Sequence, residues 1–130
     1  MEQLAYTSIA ADSIDSGEVF NIVTVAARKN PERGITGFLA FDGKRFLQVV
    51  EGESDALDDL MDELQRDRRH RNIDVLDRRQ VAGRCFADWS MRRVGMGRDQ
   101  EALVPLVERL DDDGQNADIV EELRAMRVAA

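Results

Sequence analysis

The sequence predicts an α+β domain: a ferredoxin-like sheet in the order β-α-β-β-α-β-β, two helices on one face, and a short C-terminal helical appendage. Three observations carry this expectation. Two segments of helical period each follow a segment rich in β-formers. A turn signal, Asp42-Gly43, joins two apolar runs between them. The end of the chain then returns to helical period. At 130 residues the chain fits one domain, which we bound at residues 1–95, with residues 96–130 as the appendage.

Each element has its own signal. Gln3 to Ile9 is short and rich in β-formers, and reads as a strand. Val19, Ile22, Val23, Ala26 and Ala27 recur at helical spacing, with Asp15 and Glu18 set as a capping box. Asn30-Pro31 should end that helix, because a residue before proline avoids helical backbone. Gly34 to Gly52 is a hairpin about Asp42-Gly43. Ser54 can cap the second helix, whose stripe is Leu57, Leu60, Met61 and Leu64. Arg68 to Asn72 reads as a basic loop, followed by two short strands about Gly83. Trp89 and Met91 then share one face of the last strand. In the tail, Leu103, Leu106, Val107 and Leu110 form one stripe, and Ile119, Leu123 and Met126 another. A sheet covered on one face leaves the other bare. The tail, or a second subunit, should cover it.

Charge excludes several functions. The net charge is −8, which disfavours both nucleic acid and an anionic membrane surface as partners. Cys85 is the only cysteine, so no internal disulfide can form. A cytoplasmic location is the matching expectation. The sequence contains neither an apolar run long enough to span a membrane nor a secretory leader pattern.

One strand poses a chemical question. In "RFLQVVEG", Phe46, Gln48 and Val50 share one face, and Leu47, Val49 and Glu51 the other. If Phe46 and Val50 face the helices, so does the amide of Gln48. A buried amide without a partner costs about 1–3 kcal/mol. Tyr6, Asn30 or a bound polar ligand could satisfy it. Taken singly, Tyr6 reads as a core tyrosine, Asn30 as a helix-end residue, and Trp89 and Met91 as core packing.

Taken together, five motifs resemble the BLUF domain, a blue-light sensor module that binds flavin. They are "YTS" (6–8), "RKNPERGITGFLAF" (28–41), "RFLQVVEG" (45–52), "DRRH" (67–70) and "RCFADWSM" (84–91). The resemblance runs from about Leu4 to Met91. It implies a non-covalently bound FAD, with FMN the alternative, whose ring lies between the helices. It implies further that Gln48 sits beside the ring, bonded by Tyr6, while Asn30 holds the ring's pyrimidine side. Phe46 and Ile22 or Val23 would pack near it, and Asp67, Arg69 and His70 would lie near the ribityl chain or outside the ring's far edge. Lys29 stands where many relatives carry an amide or histidine.

The implied mechanism is photochemical rather than enzymatic. Tyr6 supplies an electron and proton through Gln48, whose hydrogen bonds rearrange. Trp89 and Met91 would pass the change to the tail, then to an unidentified downstream protein, within a homo-oligomer. The competing readings are a small-ligand regulatory or protein-interaction module without photochemistry, and an acylphosphatase-like enzyme. Against the enzyme, "IAADSIDSG" after the first strand is acidic and is no phosphate-cradling loop.

Overall fold

The computed structural model describes residues 1–11, 16–95, 108, 110 and 116–125. Its elements are β1 (Glu2–Ala10), α1 (Ser16–Arg33), β2 (Thr36–Phe41), β3 (Arg45–Gly52), α2 (Ser54–Arg66), β4 (His70–Gln80), β5 (Arg92–Gly95) and α3 (Ala117–Ala125). The strand order is β4-β1-β3-β2-β5. The first four strands pair antiparallel, as the ferredoxin-like reading requires, and β5 adds to β2 in parallel.

Alternation along the central strands builds two apolar layers. On one face, Leu4, Phe46 and Val50 meet Leu57 and Leu60 of α2, with Ile22, Ala26 and Ala27 of α1 packed alongside. On the other, Phe38, Leu47 and Val49 meet Phe86, Leu110 and the Ile119, Val120 and Leu123 stripe of α3. Of the tail, Leu110 and α3 lie on the outer face of the sheet, in line with one of the two expected arrangements. Leu103, Leu106, Val107 and Met126, and the proposed cap Asp15, lie outside the described residues.

Four local expectations need correction. First, α1 does not stop at Asn30-Pro31 but runs to Arg33. The stop is Gly34, at φ 68°. There Ile35 N–H donates to Asn30 O at 2.9 Å and Gly34 N–H to Pro31 O at 3.2 Å. This paired closure satisfies the last carbonyls and outweighs the local bias of the residue before proline. Second, Ser54 is the first helical residue of α2, not its cap. Glu53 holds the cap position without a side-chain bond, and the Ser54 hydroxyl instead accepts from Arg78 at 3.1 Å.

Third, the basic stretch is mostly strand, because β4 begins at His70 and pairs along β1. Fourth, the final strand does not lie about Gly83. Residues 81–91 are irregular, and β5 starts at Arg92. The cause is Glu51, whose carboxylate takes the amides of Cys85 and Phe86 that a strand would have paired. Trp89 and Met91 consequently do not share a strand face. Trp89 stacks on Phe86 in the outer layer, and Met91 joins the helix-side layer.

Gly37 lets β2 cross closely over β3. A Cβ there would stand 2.0 Å from Val49 O. Its N–H donates to Trp89 O at 2.8 Å, which brings the 81–91 segment onto the edge of β2.

Candidate functional site

Between α1 and α2, above the sheet, lies a cavity of about 390 Å³. Its walls are Ile22 and Ala26 from α1 and Leu60 and Leu64 from α2. Its floor is Tyr6, Leu39, Phe46 and Gln48 from the strands, closed at one end by Asn30 and Met91. Of the residues singled out from sequence, Tyr6, Ile22, Asn30, Phe46, Gln48, Asp67, Arg69, His70 and Met91 all line it. Trp89 does not, because it lies behind the sheet. The Val23 side chain lies outside the described residues.

The buried amide of Gln48 has found two partners. Tyr6 and Gln48 face each other across β1 and β3, and the Tyr6 hydroxyl donates to Gln48 Oε1. Gln48 Nε2 points to Met91 Sδ at 3.7 Å. A thioether is a weak acceptor, so the amide keeps donor capacity for a polar group in the cavity. Burial pushes the Tyr6 phenol well above its ordinary value, and the negative charge of Asp67 adds to this. Tyr6 therefore stays a neutral donor. Asn30, the other side-chain candidate, donates elsewhere. Its Nδ2 donates to Ser90 O at 2.7 Å, tying the end of α1 to the segment before β5.

The mouth is charged. Arg69 Nε donates to Asp67 Oδ1 at 2.9 Å and Arg69 Nη2 to Oδ2 at 2.6 Å. These bonds hold the Asp67 carboxyl below its usual range. His70 Nε2 lies 2.8 Å from Leu64 O, and Nδ1 2.8 Å from Ser8 Oγ. A carbonyl only accepts, so Nε2 donates. In the neutral ring, Nδ1 then accepts from Ser8.

One feature of the mouth is not singled out by the sequence. Arg33 on α1 grips Glu63 on α2 with bonds of 3.0 and 2.6 Å, and this holds the Glu63 carboxyl low. Lys29 also lines the rim. The pairing of Arg33 with Glu63 depends on how two helices are set, which neither helix encodes alone. Leu60 and Leu64 were visible as part of the α2 stripe.

The cavity fits a flavin ring on physical grounds. Its volume lies in the range of small-molecule sites. Apolar walls suit the flat ring, Gln48 offers a polar floor, and cations at the mouth suit a phosphorylated chain.

Comparison with known proteins decides the family. Residues 1–92 match the BLUF family, described as sensors of blue-light using FAD. The chain is a BLUF protein. As a member of that family it is a flavin-binding blue-light sensor module, with FAD as the family's cofactor. The photoactivated adenylate cyclase subunit beta of Euglena longa is 32% identical over 94 residues, covering 71% of this chain but 11% of the cyclase subunit. The blue light- and temperature-regulated antirepressor BluF of Escherichia coli is 31% identical over 70 residues, covering 54% of this chain and 17% of the antirepressor. This chain thus spans a small part of these curated relatives. The dark-state structure of BlrB, a BLUF protein, superposes with TM-score 0.76 and 34% identity, covering 95% of this chain and 92% of BlrB. Among the described residues, no helix is long and apolar enough to cross a membrane, and no cluster of side chains is set to hold a metal ion.

Proposed function

We propose that Tyr6 and Gln48 are the photochemical pair of this sensor, and that Met91 and residues 81–95 carry its output towards α3. The buried Tyr6–Gln48 bond on the cavity floor carries the proposal. When bound, the flavin supplies the visible absorption and, once excited, an oxidising centre beside this pair. Asn30, Phe46 and Ile22 would hold the ring, and Asp67, Arg69 and His70 line the mouth and would face its phosphorylated chain.

The chemistry of the chain follows from the amide. Tyr6 holds its proton at Oη and directs it at Gln48 Oε1. Gln48 has one accepting and one donating end. Rotation or tautomerisation of that amide exchanges what Tyr6, Met91 and the cavity are offered. A carboxylate in this place would carry a charge, and a leucine would have no bonds to rearrange. One such bond is worth about 0.5–1.5 kcal/mol net. Full reversal of a 1:99 switch needs about 5.5 kcal/mol. Several contacts therefore change together, or the output element is close to balance. Met91 Sδ, already on Gln48, is the first contact outside the pair.

Residues 1–95 form the sensing unit and residues 96–130 the output appendage. The appendage acts on a downstream protein, in keeping with relatives that carry a cyclase or act as an antirepressor. A homo-oligomer in the cytoplasm is the assembly we assign, and size-exclusion chromatography with light scattering measures it.

Tyr6→Phe and Gln48→Leu test the photochemical assignment. Both should still bind FAD, and both should lose the reversible red shift of the flavin band after blue light. A native shift in either variant would remove that residue from the mechanism.

A further inference from the structure

Glu51 is fully buried on the sheet face opposite the cavity, three residues along β3 from Gln48. Its carboxylate is surrounded by donors. Oε2 accepts from Cys85 N–H at 2.5 Å, and Oε1 from Phe86 N–H at 2.9 Å and Thr36 Oγ1–H at 3.1 Å. Arg84 closes the cluster, donating to Thr36 Oγ1 at 2.8 Å, to Glu51 O at 3.1 Å and to Gly34 O at 2.6 Å. Burying a carboxylate is costly unless donors replace its water. Here three do, and two of them are backbone amides of one short segment.

That segment ends in the functional site. Phe86 O accepts from Trp89 N–H at 3.0 Å, and Trp89 O from Gly37 N–H at 2.8 Å. The next two residues reach the cavity: Ser90 O takes Asn30, and Met91 Sδ takes Gln48. Residues 84–91 are thus fastened at one end by Glu51 and at the other by the site itself. No regular strand holds them between.

We propose that Glu51 is a positioning residue for the light response: it sets where Met91 Sδ and Ser90 O stand relative to Gln48 and Asn30, from behind the sheet. The inference rests on the photosensor reading above. Glu51→Gln keeps the shape but turns a donating amide NH2 towards one of the two backbone donors. Thr36→Val removes one hydroxyl donor and leaves the carboxylate in place.

The test uses the full chain with FAD, labelled at the methionine methyl groups, as parent, Glu51→Gln and Thr36→Val. Met91 is assigned by Met91→Leu, and Met61 on α2 serves as the internal reference. The Met91 methyl resonance should move in both variants while Met61 stays. Dark recovery after blue light should change by at least about threefold, well within the strength of bonds to a charged acceptor. An unmoved Met91 resonance, with faster amide exchange at Cys85 and Phe86, would make Glu51 a loop anchor only and overturn the proposal. An unchanged recovery rate would overturn it equally. If Glu51→Gln fails to fold, Thr36→Val decides. If the parent shows no light response, the photosensor reading fails by itself, and the Met91 resonance still decides the positioning claim.

Discussion

Tyr6 is the only tyrosine in the sequence, so its ionisation can be followed without interference. Burial raises its pKa above the ordinary value of about 10. The sign follows from linkage. Below that value the folded and unfolded chains both hold the proton, and the stabilising contribution is whole. Above it the unfolded chain ionises while the native one does not, so stability falls as pH rises. Ultraviolet titration should show no tyrosinate step near pH 10 in the folded protein; tyrosinate should appear together with unfolding. A step in the native state would contradict the buried pair. Tyr6→Phe leaves Gln48 Oε1 without its donor and should cost about 1–3 kcal/mol in urea denaturation. The short motifs around Tyr6, Asn30 and Gln48 made these residues legible before any fold was known. Glu51, Arg84 and the Arg33–Glu63 pair were not legible, because each gains its meaning from a partner brought in by folding. In sequence Glu51 only shares a strand face with Leu47 and Val49, and its backbone donors Cys85 and Phe86 lie more than thirty residues on.

At the level of elements, period and turn signals placed the order correctly, and errors gathered at ends. Proline at 31 looked like a stop for α1, but the stop is Gly34 in left-handed backbone. Gly34→Ala should therefore destabilise by about 1–2 kcal/mol. Its new Cβ would meet only Arg84 Nη2, at 3.8 Å, so the cost lies in the backbone and not in packing. Gly37→Ala should be far worse, since its Cβ would fall on Val49 O. Loss of soluble, cooperatively unfolding protein is the expected result, and circular dichroism with thermal melting reads both variants. The 81–91 segment reads as a strand for a physical reason: its apolar residues imitate one, but the backbone donors of Cys85 and Phe86 are spent on a carboxylate. Alternation cannot reveal such a competitor.

For the whole molecule, the covered outer face matters most. The α3 residues Ile119, Val120 and Leu123 lie against the same layer as Phe86 and Trp89. A displacement of residues 84–91 thus has a path of direct packing to the tail. Leu123 is fully buried, and Leu123→Ala should cost about 2–5 kcal/mol in urea denaturation. Trp89 is the only tryptophan, so its fluorescence reports the outer layer alone and should follow the same transition. The need to cover a bare apolar face is legible in the sequence, but whether the tail or a second subunit meets it is not; among the described residues, Leu110 and α3 lie there. The measurement that tests the central claim most directly is the absorption spectrum of the FAD-loaded protein before and after blue light. The account predicts a small red shift of the flavin band that reverses in the dark and is lost in Gln48→Leu. A protein that binds no FAD, or whose spectrum ignores the light, would contradict it.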